Sequence, residues 1–261
     1  MKRLNLFLIL CLISLICSAE TTDSLRVLWI GNSFTYTNDL PKMVQKIASS
    51  KKMKLSCTRA LVGGEQLSGH LKRQNLLDDL KQGGWDYVVI QEQSSNPALP
   101  TQQVITRTYP YAQKLCELAR DNSPKVKIIF FMTWAHKYGN KNYVKNYPLD
   151  DTYEGMQERL KTSYLEMSYD NNAWCAPVGM AWKRVRTERP NLVLYHHDLE
   201  HPSVTGSYIA ANVFFATIYQ RQYQTDFIAD LTVEDAEYIQ QVAQKTVLEN
   251  LNLLNIKRDE E

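Results

Sequence analysis

Apolar positions along the chain fall into two alternating patterns. Short solid runs occupy residues 26–30, 54–59, 85–90, 126–132 and 174–177. Runs of that length, closed by glycine or polar residues, predict buried strands. Between them, apolar residues recur every three or four positions, as on one face of a helix. Asn38 or Asp39 caps the first such stretch, Pro41 sits in its first turn, and Leu40, Met43, Val44, Ile47 and Ala48 form its stripe. A second helix carries Leu67, Leu71, Leu76, Leu77 and Leu80 and ends at Gly83-Gly84. Residues 101–121 predict a helix broken or bent near Pro110. Helices are also expected over 153–169 and 179–187, and after Ser203 or Thr205 with Ile209, Ala210, Val213, Phe214 and Ile218 inward. A last one runs from a capping box at Thr232–Asp235 to about Leu254. Residues 192–195 read as a short extended run. Strands alternating with helices imply α/β architecture: a parallel sheet of about five strands, helices on both faces, right-handed crossovers.

Residues 1–19 do not fit that pattern. Lys2 and Arg3 precede a short apolar stretch, and Cys17-Ser18-Ala19 supplies small residues before a cut. This predicts a signal peptide, with residues 20–261 as one exported domain, periplasmic or secreted. Lipidation at Cys17 is the weaker alternative, because Ile16 stands where a small residue is expected. No later stretch predicts a membrane span. The formal charge is only +2, from 30 basic and 28 acidic residues. Near-neutrality argues against nucleic acid as a partner. Cys57, Cys116 and Cys175 are read as free thiols with no metal spacing.

Candidate chemistry lies at the two ends. The first strand runs into Gly31-Asn32-Ser33, which places Ser33 at the carboxyl edge of the sheet, where ligands bind in open α/β folds. A serine needs a base and a group to orient that base. Asp198 and His201 supply the pair, with Asp198 able to fold back onto the imidazole. Glu200 is a poorer partner, and His196 and His197 read as rim histidines. A zinc set of His196, His197, Asp198 and His201 is disfavoured by its crowded spacing. Gly63-Gly64 forms either a turn whose N–H groups face a site or a plain strand-to-helix turn. Residues 134–148 mix aromatic and polar side chains. They form a lid, a sugar-stacking wall or aromatics tucked onto the domain's own surface. If they form a wall, Trp134, His136 and Tyr138 bind substrate. With neither Gly-x-Gly-x-x-Gly nor a P-loop, no cofactor is implied.

The segments Gly31-Asn32-Ser33-Phe34-Thr35 and Asp198-x-x-His201-Pro202-Ser203 resemble the first and last blocks of the SGNH (GDSL-type) esterase superfamily. The resemblance spans nearly the whole chain after residue 19. It implies a three-layer, flavodoxin-like α/β/α sandwich and a Ser33, His201, Asp198 triad. It also implies an oxyanion hole formed by the Ser33 N–H, the Gly64 N–H and a third-block side chain. That third block normally reads Gly-x-Asn-Asp; here it is Gln91-Glu92-Gln93-Ser94-Ser95-Asn96. Gln93 is the first choice of donor, being farther past the sheet edge than Gln91, with Asn96 third. Asn32 stands where the family usually has Asp. These departures resemble the carbohydrate-directed branches. The expected activity is removal of small acyl groups, such as acetyl, from a carbohydrate or small-molecule ester. A non-catalytic carbohydrate binder and an O-acyltransferase are the alternatives.

Overall fold

The computed structural model describes residues 24–141 and 147–258. The expected signal peptide lies outside them, as does part of the 134–148 segment. Five parallel strands form one sheet: β1 (Leu25–Gly31), β2 (Leu55–Leu61), β3 (Tyr87–Ile90), β4 (Lys127–Phe131) and β5 (Trp174–Ala176), in the order β2-β1-β3-β4-β5. Ile30 is level with Ala60 on one side and Ile90 on the other, and Ile90 with Phe130. The strand ends after β1 and β3 therefore emerge side by side. The order reverses direction between β1 and β3, which opens a crevice at their carboxyl ends.

The helices follow in chain order. They are α1 (Ser33–Tyr36), α2 (Leu40–Ser50), α3 (Leu67–His70), α4 (Gln74–Gln82), α5 (Thr101–Arg107) and α6 (Tyr109–Asn122). Then come α7 (Tyr153–Asp170), α8 (Val178–Glu188), α9 (Val204–Tyr219) and α10 (Val233–Leu248). One layer is built on α9, which packs against α2, α8 and α10; in the other, α6 packs against α3, α4, α5 and α7. Every residue of α9 from Gly206 to Ile218 is buried. A helix apolar all round must be covered on all sides, and α9 lies between its neighbours and the sheet, with Phe214 edge-on to Trp29 at 4.7 Å.

Three expectations are corrected. The helix expected after Gly64 is two, because Arg73 is extended and its guanidinium reaches back to Glu65. The C-terminal helix stops at Leu248, and residues 251–256 turn back. The Leu254 carbonyl then accepts a bond from Cys175 N at 2.9 Å, covering the outer edge of β5. Residues 192–195 form no strand; Tyr195 makes a single antiparallel bridge to Pro202. The break before Pro110 falls at Thr108, as the proline requires. Cys57, Cys116 and Cys175 are free thiols.

Ser203 caps α9, accepting from Gly206 N at 3.1 Å and donating to Val193 O at 2.5 Å. Ser203→Ala is expected to cost about 1 kcal/mol, read as a lower urea midpoint with unchanged slope.

Candidate active site

The nucleophile turn is built by close approach. A Cβ on Gly31 would lie 2.6 Å from Gln91 Oε1 and 2.9 Å from Thr35 Oγ1, so only glycine fits. The space a side chain would need is filled by the Gln91 carbonyl. That oxygen accepts from Asn32 N and from Thr35 Oγ1, both at 2.9 Å. Asn32 caps α1 by accepting from Phe34 N at 3.1 Å and ties the following loop by donating to Glu65 O at 3.2 Å. Ser33, the first residue of α1, is thus presented at the end of β1.

Asp198 and His201 arrive on the loop before α9. Asp198 Oδ1 accepts from the backbone N–H of Glu200 at 3.0 Å and of His201 at 2.9 Å, closing a tight turn. Leu199, at φ 67, takes the left-handed conformation that the turn requires. Asp198 Oδ2 lies 2.7 Å from His201 Nδ1, and His201 Nε2 lies 2.7 Å from Ser33 Oγ. Burial alone would raise the Asp198 pKa. The two amides and the imidazole override it and hold the carboxyl near 2. A carboxylate that stays ionised leaves Nδ1 carrying the proton and Nε2 free to accept one. Asn38 steadies the loop, donating to Pro202 O at 3.1 Å and to Ser207 Oγ at 2.9 Å.

Beneath the triad stands a column of rings that the pattern of apolar residues did not reveal. Phe34 meets His201 edge-on at 5.4 Å and stacks on Trp134 at 4.7 Å. Trp134 stacks on Trp182 at 4.2 Å, and Tyr195 closes the column edge-on at 5.1 Å. Trp134 also donates to Glu200 O at 3.0 Å. Its expected place in a substrate wall is therefore corrected: it is fully buried and both ring faces are covered. His136 is buried as well, with Nε2 3.4 Å from Ser94 Oγ and Nδ1 3.6 Å from Glu200 Oε1. Burial lowers its pKa, which keeps the ring neutral. Tyr138 alone of the three is open, at 53% exposure. His196 and His197 are exposed, their rings 4.0 Å apart.

The oxyanion candidates separate in the same way. Gln91 is tied down: its carbonyl braces the turn that carries Ser33, and one N–H of its amide donates to Glu92 O. The Gln93 carbonyl accepts from Ser95 N and Asn96 N, while its amide makes only a long 3.4 Å contact to Ser94 Oγ. The Asn96 side chain lies near the Glu92 carboxylate and helps to lower its pKa. Gly64, at φ 66, leaves open space on its Cβ side. Among the described residues, no cluster of three His, Cys, Asp or Glu could hold a metal ion, and no helix is long and apolar enough to cross a membrane.

The fold and the arrangement of Ser33, His201 and Asp198 resemble those of SGNH hydrolases. Among solved structures it is similar to a candidate SGNH hydrolase from Slackia heliotrinireducens. That match has 27% identity and a TM-score of 0.60, over 75% of this chain and all of that one. It also overlays a DUF4886 family protein from Bacteroides uniformis at a TM-score of 0.68 and 18% identity, covering 91% and 98% of the two chains. An acetylxylan esterase from Geobacillus stearothermophilus shares the fold at a TM-score of 0.53 and 16% identity, over 74% and 94%. No protein-family model matches the sequence, and no curated protein matches it.

The ring column makes opposite predictions for two aromatics. Trp134→Ala should lower stability by about 3–5 kcal/mol through the cavity left between Phe34 and Trp182. Tyr138→Ala should stay within about 0.5 kcal/mol of the parent. Thermal melts of both variants check this.

Proposed function

We propose that the chain is an exported serine esterase that removes short acyl groups, acetyl first among them, from carbohydrate. The observation that carries the reading is the continuous contact from Asp198 through His201 to Ser33, at 2.7 Å on each side of the imidazole. Ser33 Oγ attacks the acyl carbon while His201 Nε2 takes its proton. Asp198 holds the ring with Nδ1–H inward and stabilises the imidazolium that forms. The tetrahedral oxyanion is received by the N–H groups of Ser33 and Gly64. His201 then returns the proton to the departing sugar oxygen. Water enters by the same route in reverse and frees Ser33.

Gln93 is the proposed third oxyanion donor. Its amide makes only a long contact to Ser94 Oγ at 3.4 Å. The acetyl and carbohydrate assignments are supported by the fold shared with an acetylxylan esterase. They are also supported by exposed Tyr138, His196 and His197, polar aromatics of the kind that contact sugars. The leader over residues 1–19 supports export.

Intact-mass analysis with a fluorophosphonate tests the centre of the proposal. The parent should gain one adduct that Ser33→Ala lacks. Ser33→Ala should also abolish turnover of p-nitrophenyl acetate with little change in melting temperature. His201→Ala should be nearly as damaging, and Asp198→Asn no worse than His201→Ala, since the three act as a unit. Retained turnover in Ser33→Ala would remove Ser33 from its role.

A separate kinetic series addresses the donor. Gln93→Ala is expected to lower kcat roughly a hundred- to a thousandfold with KM little changed, because the bond forms mainly in the transition state. A loss of only a few-fold would exclude Gln93.

A further inference from the structure

The proposed mechanism leaves without a task a buried acid that lies beside the site. Glu92 is fully buried at the end of β3, one residue past the Gln91 brace. Its Oε1 accepts from Leu67 N at 3.2 Å and from Gln93 N at 2.6 Å. Leu67 opens α3, and Gln93 opens the third-block loop. One carboxylate oxygen therefore joins the two segments that carry the proposed oxyanion donors, Gly64 and Gln93.

The far end of α3 returns to the nucleophile. His70, its last residue, is fully buried, and its Nε2 lies 3.0 Å from Gly31 O. A carbonyl can only accept, so Nε2 carries the proton, and burial lowers the pKa of the ring and keeps it neutral. The α3 segment is thus held at one end by Glu92 and at the other by the strand that presents Ser33. Between them, Asn32 holds Glu65 O. The second carboxylate oxygen, Oε2, is buried without a hydrogen-bond partner among the described residues. No cation pairs with Glu92 there. Such a group is costly as an anion, and its two backbone bonds are strongest in that form.

We propose, on the basis of the esterase reading, that Glu92 is a positioning residue. Its ionised carboxylate holds the Gly64 turn and the Gln93 loop in register beside Ser33, and protonation slackens both. Burial pushes the Glu92 pKa up to about 7, against the pull of the Gln93 and Leu67 amides and the Asn96 side chain. The other ionisable groups facing this region are few. Glu65 is held ionised by Arg73 and adds to the rise. Tyr164, on α7, is buried and stays protonated. His70 is neutral. The switch between competent and slack loops therefore falls in the neutral range. Competence is gained as pH rises through it.

Glu92→Gln keeps the shape and one acceptor oxygen but fixes the neutral state. Its kcat on p-nitrophenyl acetate should be about tenfold below the parent at pH 8.5, with KM unchanged. The two should converge near pH 5.5, where the parent's Glu92 is protonated too. Groups common to both proteins cancel from the ratio. A ratio that stays constant with pH, or a loss expressed in KM, would overturn the proposal in favour of a purely structural role. Amide chemical shifts supply a readout that needs no activity. In the parent, the Leu67 and Gln93 N–H signals should move together with a midpoint near pH 7, and in Glu92→Gln they should not. If the parent hydrolyses no ester, the esterase reading fails and these shifts alone decide; amides that do not move in the parent overturn the role of Glu92.

Discussion

The site depends on how closely β3 can approach the end of β1. Gly31 has no side chain, and the Gln91 carbonyl occupies the place where one would be. From there it binds the Asn32 amide and the Thr35 hydroxyl, the two groups that bracket Ser33. A parallel pair of strands leaves its terminal N–H groups unpaired, and buried donors without partners are costly. One glutamine side chain satisfies the first of them and sets the turn. Because Ile30 and Ile90 are in register, that side chain arrives at the right height without strain.

A second constraint acts from below. The loop that brings Asp198 and His201 is shaped by the Asp198 turn, the Asn38 tie, one bridge and the cap of α9. It also rests on the ring column of Phe34, Trp134, Trp182 and Tyr195. Stacked rings give up large apolar area and resist shear. The loop is fastened to the column by the Trp134 bond to Glu200 O. Phe34 belongs to the same short helix as Ser33. Ser33 and His201 therefore rest on one support, although they are 168 positions apart in the chain.

Polar groups in the third block divide their labour according to burial. Gln91 and Glu92 point inward and are spent on bracing. Gln93, one residue farther from the sheet, folds its carbonyl into its own turn and leaves its amide with one long contact. A side chain held through both its carbonyl and one N–H cannot turn freely, whatever its residue type.

The sequence by itself determined the α/β class, the five strands and nearly every helix. Strand and helix periods are local properties, written in runs such as Val27–Ile30 and the stripe of α2. It also singled out Ser33, Asp198 and His201, because a nucleophile after a strand and an Asp-x-x-His turn are short-range arrangements. Tertiary structure decided everything that required knowing what lies across a gap. Trp134 has the composition of a sugar platform and became a pillar, since Phe34 and Trp182, 100 positions before and 48 after it, cover both its faces. Gln91 and Gln93 offer the same amide, and only packing against Asn32 and Glu92 tells the braced side chain from the looser one. Helix α10 stops at Leu248 because the carbonyl of Leu254 is needed at the edge of β5. In each case the deciding partner is distant in sequence, and its contact depends on burial and direction, which no local pattern encodes.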